Sequence, residues 1–296
     1  MTDGPSGLVV VDKPAGWTSH DVVARMRRLL GTRKVGHGGT LDPMATGVLI
    51  VACGKATRLL TYISAHDKAY DATIRLGQST ITDDAEGDVT ATVDASGVTD
   101  AAIAAVIATL TGPIIQRPSS VSAIKVDGQR SYARVRAGEE FELAGRPVTV
   151  SRFDVVVTRR GDGFVDIDCS IDVSSGTYIR ALARDLGSAL EVGGHLTALR
   201  RTRIGDITLA PAVTLDELER NGTSGHLIPL DQAAAATLPT FTIDAKAATA
   251  LGFGQRIVAD GVGPAVAMYE ERAIAIVARG DGQGKPSVVF RPHGAN

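Results

Sequence analysis

Gly36-His37-Gly38-Gly39-Thr40-Leu41-Asp42-Pro43-Met44-Ala45-Thr46-Gly47-Val48-Leu49-Ile50 is the stretch on which the reading of this chain turns. Gly36, Gly38 and Gly39 permit positive φ and let the backbone approach a ligand closely. Pro43 denies Asp42 helical geometry, so its carboxylate belongs at an extended or turn corner. Ala45 to Ala52 then reads as a buried strand, an apolar run with Gly47 inside it and Gly54 behind it. One stiffly presented acid beside His37, at the mouth of a buried strand, suits catalysis. Asp before Pro also initiates ordinary turns by bonding its own backbone, and a loop histidine needs no function. The fifteen residues alone leave both readings open.

Outward from this stretch the chain alternates strands and helices. Gly7 to Val11 is expected as a strand. Thr18 or Ser19 caps a helix to about Leu30, with Val22, Val23, Met26, Leu29 and Leu30 on one face. A short helix near Ala56 to Ile63 precedes an alternating strand from Ala69 to Leu76. Ala101 to Leu110 is an alanine-rich helix between the start signal Thr99-Asp100 and the stop signal Gly112-Pro113. Val148 to Val157 and Phe164 to Val173 alternate as two strands joined by the turn Arg159-Arg160-Gly161-Asp162-Gly163. Thr177 to Leu190 follows as an amphipathic helix, then a strand from Leu196. This mixture predicts an α+β fold around a mixed, largely antiparallel sheet flanked by helices.

Three segments stand apart. Residues 114–146 are rich in Pro, Ser, Gly, Arg and Lys and read as an insertion, with a short helix from Tyr132 to Arg136. Pro211 to about Leu238 connects the first region, 1–230, to a β-rich module at 239–296. Strands are expected there at Thr240 to Ile243, Arg256 to Val258, Ala265 to Tyr269, Ala273 to Ala278 and Ser287 to Phe290. Gly280-Asp281-Gly282-Gln283-Gly284-Lys285 lacks the glycine spacing of a phosphate-binding loop, and Pro286 stands where a helix would begin; it is a hairpin turn.

Composition bounds the rest. With 296 residues and 44% hydrophobic side chains the chain can bury a core without staples, and with 4% aromatics that core is mostly aliphatic. Cys53 and Cys169 lie in apolar segments without metal-ligand spacing and read as reduced core thiols of a cytoplasmic protein. No apolar run reaches the ~20 residues needed to span a bilayer. The net charge of −2 argues against a polyanionic partner, but its distribution argues for one. Lys13, Arg25, Arg27, Arg28, Arg33 and Lys34 face only Asp21 between positions 13 and 34, and five arginines lie between Arg180 and Arg203.

Six segments in order resemble the bacterial TruB family of tRNA pseudouridine synthases. Asp12-Lys13-Pro14-Ala15-Gly16-Trp17-Thr18-Ser19 is similar to the family's N-terminal motif, and Gly36 to Leu49 to its catalytic motif. Lys68-Ala69-Tyr70 with Leu76-Gly77 resembles the strand that bears the active-site tyrosine. Ser122 to Gly128 resembles part of the RNA-gripping insertion, Ser175-Gly176-Thr177-Tyr178-Ile179-Arg180 the arginine motif, and Leu196 to Arg201 the strand with a packing leucine. Six motifs over about two hundred residues are far more specific than any one of them.

The resemblance implies a pseudouridine synthase catalytic domain at 1–230 and a PUA-like RNA-binding domain at 239–296. It implies isomerisation of uridine 55 in the TΨC arm of tRNA after the base is flipped out of the helix. Asp42 is then the catalytic acid, Arg180 its partner, and Tyr70 the ring that stacks on the uracil near the proton lost from C5. Tyr178 and Leu199 would wall the pocket, and His37 would fill the space the base leaves or contact the displaced strand. Lys13 would line or support the site, and Lys125, with Arg130 and Arg134, would meet phosphates. Asp84 matches a family acid near the RNA surface, although Thr80-Ile81-Thr82 replaces the usual Thr-Asp-Thr. The product has the same atoms as the substrate, so neither a redox cofactor nor an energy source is expected, and no run of His, Cys and acid has zinc spacing, so no metal site is expected. The expected partner is tRNA alone, for a cytoplasmic monomer without membrane or protein partners. Two other readings remain: a tRNA-folding chaperone, and a guide-dependent synthase of the H/ACA type.

Overall fold

A computed structural model describes residues 4–119, 125–126, 129–130 and 144–292. The chain begins with β1 (Gly7–Lys13), α1 (Ser19–Leu29), β2 (Val35–His37) and β3 (Thr46–Cys53). A 3-10 turn over Gly54–Leu59 leads to α2 (Leu60–Ala65), β4 (Lys68–Leu76) and the small hairpin β5 (Gln78–Thr80) and β6 (Val89–Thr92). Then come α3 (Asp100–Thr109), β7 (Gly112–Gln116), the pair β8 (Lys125–Val126) and β9 (Gln129–Arg130), β10 (Arg146–Gly161) and β11 (Phe164–Val173). They are followed by α4 (Ile179–Ala189), β12 (Gly194–Ile204), β13 (Ile207–Thr208), α5 (Leu215–Asn221), β14 (Ile228–Pro229) and α6 (Leu230–Thr237).

One sheet of ten strands carries this region, in the order β14-β1-β3-β12-β4-β11-β10-β7, with β2 on β3 and β13 on β12. Only β12 and β3 pair in parallel; every other pairing in the sheet is antiparallel. The α+β architecture is the expected one. Gly47 stands where β3 meets β12. A Cβ there would lie 2.2 Å from the Arg201 carbonyl oxygen, and its φ is +96°. Only glycine fits that crossing.

The sheet is covered unequally. β1 and β3 are buried on both faces, so their side chains alternate between two cores. Val9, Val11, Leu49, Val51 and Cys53 face one cluster, together with Val22 and Met26 of α1, Ile103 and Ile107 of α3, and Leu182 and Leu186 of α4. Leu8, Val10, Val48, Ile50 and Ala52 face the other, with Leu59, Ile63 and Ala233. β11 buries only its odd residues, Val165 to Val173, while Asp166, Asp168 and Ser170 stay on an open face, paired with Arg75, Arg159 and Asp71. Thr18 accepts from the Asp21 amide and closes a capping box with it, fixing the start of α1.

A second sheet, β15-β17-β18-β19-β16, holds Thr240–Thr242, Gly263–Tyr269, Arg272–Gly280, Gln283–Val289 and Ile257–Val258 in that order. The hairpin turn at Asp281-Gly282 has positive φ at both residues and joins β18 to β19 as expected. The helix α7 (Ala245–Gly252), capped by Asp244, was not expected among these strands. Val266, Ala273, Ile276 and Phe290 of this module share the apolar cluster of Leu8 and Ile50. Arg58 donates to the Val289 carbonyl, and Asp231 pairs with Arg291, so polar contacts rim that apolar seam.

Several bounds shift. The helix expected from Thr177 begins at Ile179, with Tyr178 at its N-cap position, and β10 runs four residues past Val157 to Gly161, with two bulges. The helix expected at Tyr132 to Arg136 lies outside the described residues.

Candidate active site

Asp42 sits on a corner stapled from three sides. From α1, the Ser19 hydroxyl accepts from the Leu41 amide at 2.8 Å and donates to the Leu41 carbonyl at 3.0 Å. From β12, Arg201 donates to the carbonyls of Val48 (2.8 Å), Thr40 (3.2 Å) and Gly39 (3.0 Å). From β1, the Lys13 ammonium donates to Pro14, Trp17 and Pro43 carbonyls at 3.0, 2.6 and 3.1 Å. The backbone is thereby fixed on both sides of Asp42, and its side chain, 35% exposed, is left to face a cleft.

Across that cleft Arg180, in the first turn of α4, holds the carboxylate with two nitrogens. Nε lies 3.0 Å from Oδ2, and Nη2 donates to Oδ1 at 3.4 Å. Arg180 is itself braced: Nη1 donates to the Thr82 carbonyl at 2.8 Å, and Nε lies 3.5 Å from the buried Asp84. Asp84 in turn accepts from the Thr82 hydroxyl at 2.5 Å and the Glu86 amide at 3.1 Å. Two carboxylates around one guanidinium orient it while leaving the more exposed acid, Asp42, free on its cleft side.

Tyr70 of β4 and Leu199 of β12 form the apolar floor, 7% and 8% exposed. Tyr178 and Ile179 make the opposite wall. The buried Gln116 of β7 clamps Tyr178 by its backbone, accepting from its amide at 2.8 Å and donating to its carbonyl at 3.0 Å. The Arg146 guanidinium lies 4.6 Å from the Tyr178 ring centre and donates to the Gly176 carbonyl. Lys68 lines the same cleft, with Ser64 and Arg201. The cleft encloses about 290 Å³, room for one nucleotide and not for a duplex. Among the described residues no group of three or more His, Cys, Asp or Glu side chains could hold a metal ion.

The expected site residues divide by position. Asp42, Tyr70, Tyr178, Arg180 and Leu199 line one cleft. Lys13 lies elsewhere: fully buried, with its ammonium on three carbonyls, it secures the Asp42-Pro43 corner rather than facing a substrate. Burial pushes its pKa down to about 8, against the pull of Glu86 and Asp42. Asp84 is likewise buried behind Arg180, not at a surface, because the open acidic turn folds back onto α4. His37 is half-buried on β2 outside the cleft lining, 5.5 Å edge-to-face from His20, and burial with the nearby His20 lowers its pKa. The side chains of Lys125 and Arg130, and the whole of Arg134, lie outside the described residues. Sequence reasoning did not single out Lys68, Gln116, Arg146 or Arg201. Lys68 carried a signal, since a strand placing Tyr70 on a buried face places residue 68 on the same face. Gln116 carried none.

Residues 27–179 match the TruB family pseudouridylate synthase N-terminal domain, and residues 180–233 match the tRNA pseudouridylate synthase B C-terminal domain. The chain is 56% identical over 300 residues to a tRNA pseudouridine synthase B of Arthrobacter sp. (strain FB24), covering 97% of each. It is 57% identical over 279 residues to that of Rhodococcus jostii (strain RHA1), covering 90% of each. Among solved structures, a chain of a Cbf5-Nop10-Gar1 complex superposes with a TM-score of 0.72 at 27% identity, over 97% of this chain and 85% of that one. A chain of an H/ACA RNP bound to a substrate RNA containing 2′-deoxyuridine gives 0.71 at 26% identity, over 97% and 85%.

Proposed function

The chain belongs to the TruB family of pseudouridylate synthases, and from that premise we propose that Asp42, Arg180 and Tyr70 perform its chemistry on uridine 55 of the TΨC arm. The protein is a tRNA pseudouridine synthase, an isomerase that converts a uridine of tRNA to pseudouridine. The reaction breaks the C1′–N1 bond, turns the freed uracil and joins C5 to C1′, with loss of the C5 proton and gain of one at N1. A carboxylate suits it, being ionised at neutral pH and able to act as nucleophile or base. The observation that carries the assignment is the fork of Arg180 on Asp42, at 3.0 and 3.4 Å, in a cleft of one-nucleotide size.

Each neighbour has a part in this reading. Arg180 holds and aims the Asp42 carboxylate. Tyr70 stacks on the extruded uracil, and Leu199 and Tyr178 exclude water from it. Flipping costs a few kcal/mol, offset by stacking and by phosphate contacts from Lys125 and neighbouring cations. His37 stands beside the cleft, where it would enter the gap the base leaves in the stem. The region 1–230 acts as the catalytic domain, and the second sheet, at 239–296, as a PUA-like RNA-binding domain.

The chain works as a cytoplasmic monomer without a protein partner, and no described helix is long and apolar enough to cross a membrane. A guide-dependent synthase would need accessory components. The purified chain is therefore expected to release tritium from a [5-³H]uridine-labelled TΨC stem-loop transcript with nothing added. Release only with a guide RNA or partner proteins would overturn this reading. A chaperone acting without chemistry would refold tRNA and release none.

A further inference from the structure

From the chemistry of the cleft, we infer that Lys68 is a further catalytic residue, donating a hydrogen bond to the uracil carbonyl opposite C1′ while the base is detached. The inference rests on the proposed placement of the base on Tyr70. Lys68 and Tyr70 lie two residues apart on β4, so their side chains leave the same face from backbone positions about 6.8 Å apart, the scale of one pyrimidine. In that placement Asp42 and Arg180 meet the sugar, and Lys68 lines the same cleft from β4.

Its hydrogen bonding leaves it a proton to give. The ammonium has three N–H groups, and two are used, toward the Ser64 carbonyl at 3.0 Å and the His66 carbonyl at 2.7 Å. No carboxylate of the described residues pairs with it; the adjacent Asp67 pairs with Arg203 at 2.8 Å. The Ser64 carbonyl also accepts from the Ser175 hydroxyl at 2.8 Å, so it keeps a partner if Lys68 turns toward a ligand. The other cations of the cleft are engaged: Arg201 with three backbone carbonyls, Arg180 with Asp42, Asp84 and Thr82, and Arg146 with the Gly176 carbonyl and the Tyr178 ring. Burial lowers Lys68 to about 8, which still leaves it protonated at neutral pH.

The geometry of uracil explains why one fixed donor suffices. In the six-membered ring C4 lies opposite N1, and C2 lies opposite C5. While the base is joined through N1, the atom pointing away from the sugar is O4; once it is joined through C5, that atom is O2. Cleavage of C1′–N1 leaves the bonding pair on the base as an anion spread over N1, O2 and O4. A donor opposite C1′ therefore meets a carbonyl before, during and after the turn, and meets most negative charge at the detached stage. A preorganised donor of that kind lowers the barrier to departure and holds the free base in place.

The test uses the full chain and tRNA transcripts carrying uridine or 5-fluorouridine at the target, in single turnover at saturating enzyme. Lys68→Met is expected to slow uridine isomerisation by about 100-fold with tRNA affinity within threefold of the parent. The loss is expected to shrink to about tenfold for conversion of 5-fluorouridine, because fluorine already stabilises the departing anion. Lys68→Arg is expected to recover part of the rate. Equal losses on both substrates would make Lys68 a packing residue and overturn the inference. Weaker tRNA binding with a shallower salt dependence and an unchanged saturated rate would make it a phosphate ligand, which overturns it too. Should Lys68→Met not fold, Lys68→Gln, which is uncharged but polar, carries the same comparison. An unmutated chain inactive on uridine would refute the proposed function itself.

Discussion

Replacing Arg180 with methionine should damage stability and catalysis by separate routes. The Arg180 side chain is 6% exposed and that of Asp84 4%, so the substitution strands a buried carboxylate. Breaking a buried ion pair from one side costs about 3–5 kcal/mol. The Thr82 carbonyl loses its donor as well, adding about 1 kcal/mol. At about 2 °C per kcal/mol for a chain of this size, Tm should fall by roughly 8–12 °C. Asp42, with its side chain 35% exposed, loses orientation rather than hydration. Two charge-assisted contacts worth about 2–4 kcal/mol together correspond to roughly a 30- to 1,000-fold lower single-turnover rate. The two routes part in a double-mutant cycle. Asp84→Asn on the Arg180→Met background should restore at least about 2 kcal/mol of stability by removing the stranded charge, and restore none of the rate. Urea unfolding and tritium release measure the two quantities. Effects of Arg180 and Asp84 on stability that add to within about 0.5 kcal/mol would refute the reasoning.

Three other outcomes follow from the same geometry. Gly47→Ala puts a Cβ 2.2 Å from the Arg201 carbonyl, whereas Gly39→Ala meets only the tips of Arg201 and Lys68 at 3.7 Å. The first should abolish soluble expression, and the second should cost about 1–2 kcal/mol in thermal unfolding, the strain of a positive φ. Gln116→Leu strips both partners from the Tyr178 backbone and should cost about 2–4 kcal/mol, with a raised KM for the stem-loop in steady-state assays. Lys13 has a pKa of about 8 folded and about 10.5 in the free chain, so between those values the unfolded state holds more protons and native stability rises with pH. Below pH 8 the penalty for the buried ammonium is fully present. Urea titrations at pH 7.5 and 9.5 should show the parent gaining about 1–3 kcal/mol relative to Lys13→Met.

Much of this was legible in the sequence, for physical reasons that vary by residue. The Asp42-Pro43 corner was readable because proline restriction and the positive φ of Gly39 are local, although Ser19, Arg201 and Lys13 fix it from elsewhere in the chain. The strand β11 declares itself because each apolar side chain alternates with a polar one that stays in water. The strands β1 and β3 are buried on both faces, so no alternation marks which side chains meet the second module. The helix α7 hides among short strands because its Ala, Lys and Thr residues carry little periodic signal; its cap, Asp244, was the readable clue. Asp84 was recognised as part of a pattern and expected at a surface, since burial depends on contacts across the sheet, whereas Lys13 takes the supporting one of the two roles its motif implied. Gln116 and Arg201 act through backbone carbonyls far along the chain, a relation that residue type does not encode.

On the proposed function the Asp42 carboxylate does the chemistry while the rest of the cleft does the binding. Asp42→Asn keeps the side chain's size and loses its charge, and it should bind the unmodified tRNA transcript within about threefold of the parent. Over a time in which the parent converts every bound transcript, the variant should release no tritium from C5 above the enzyme-free blank. Release at a rate near the parent's, with binding intact, would contradict the account.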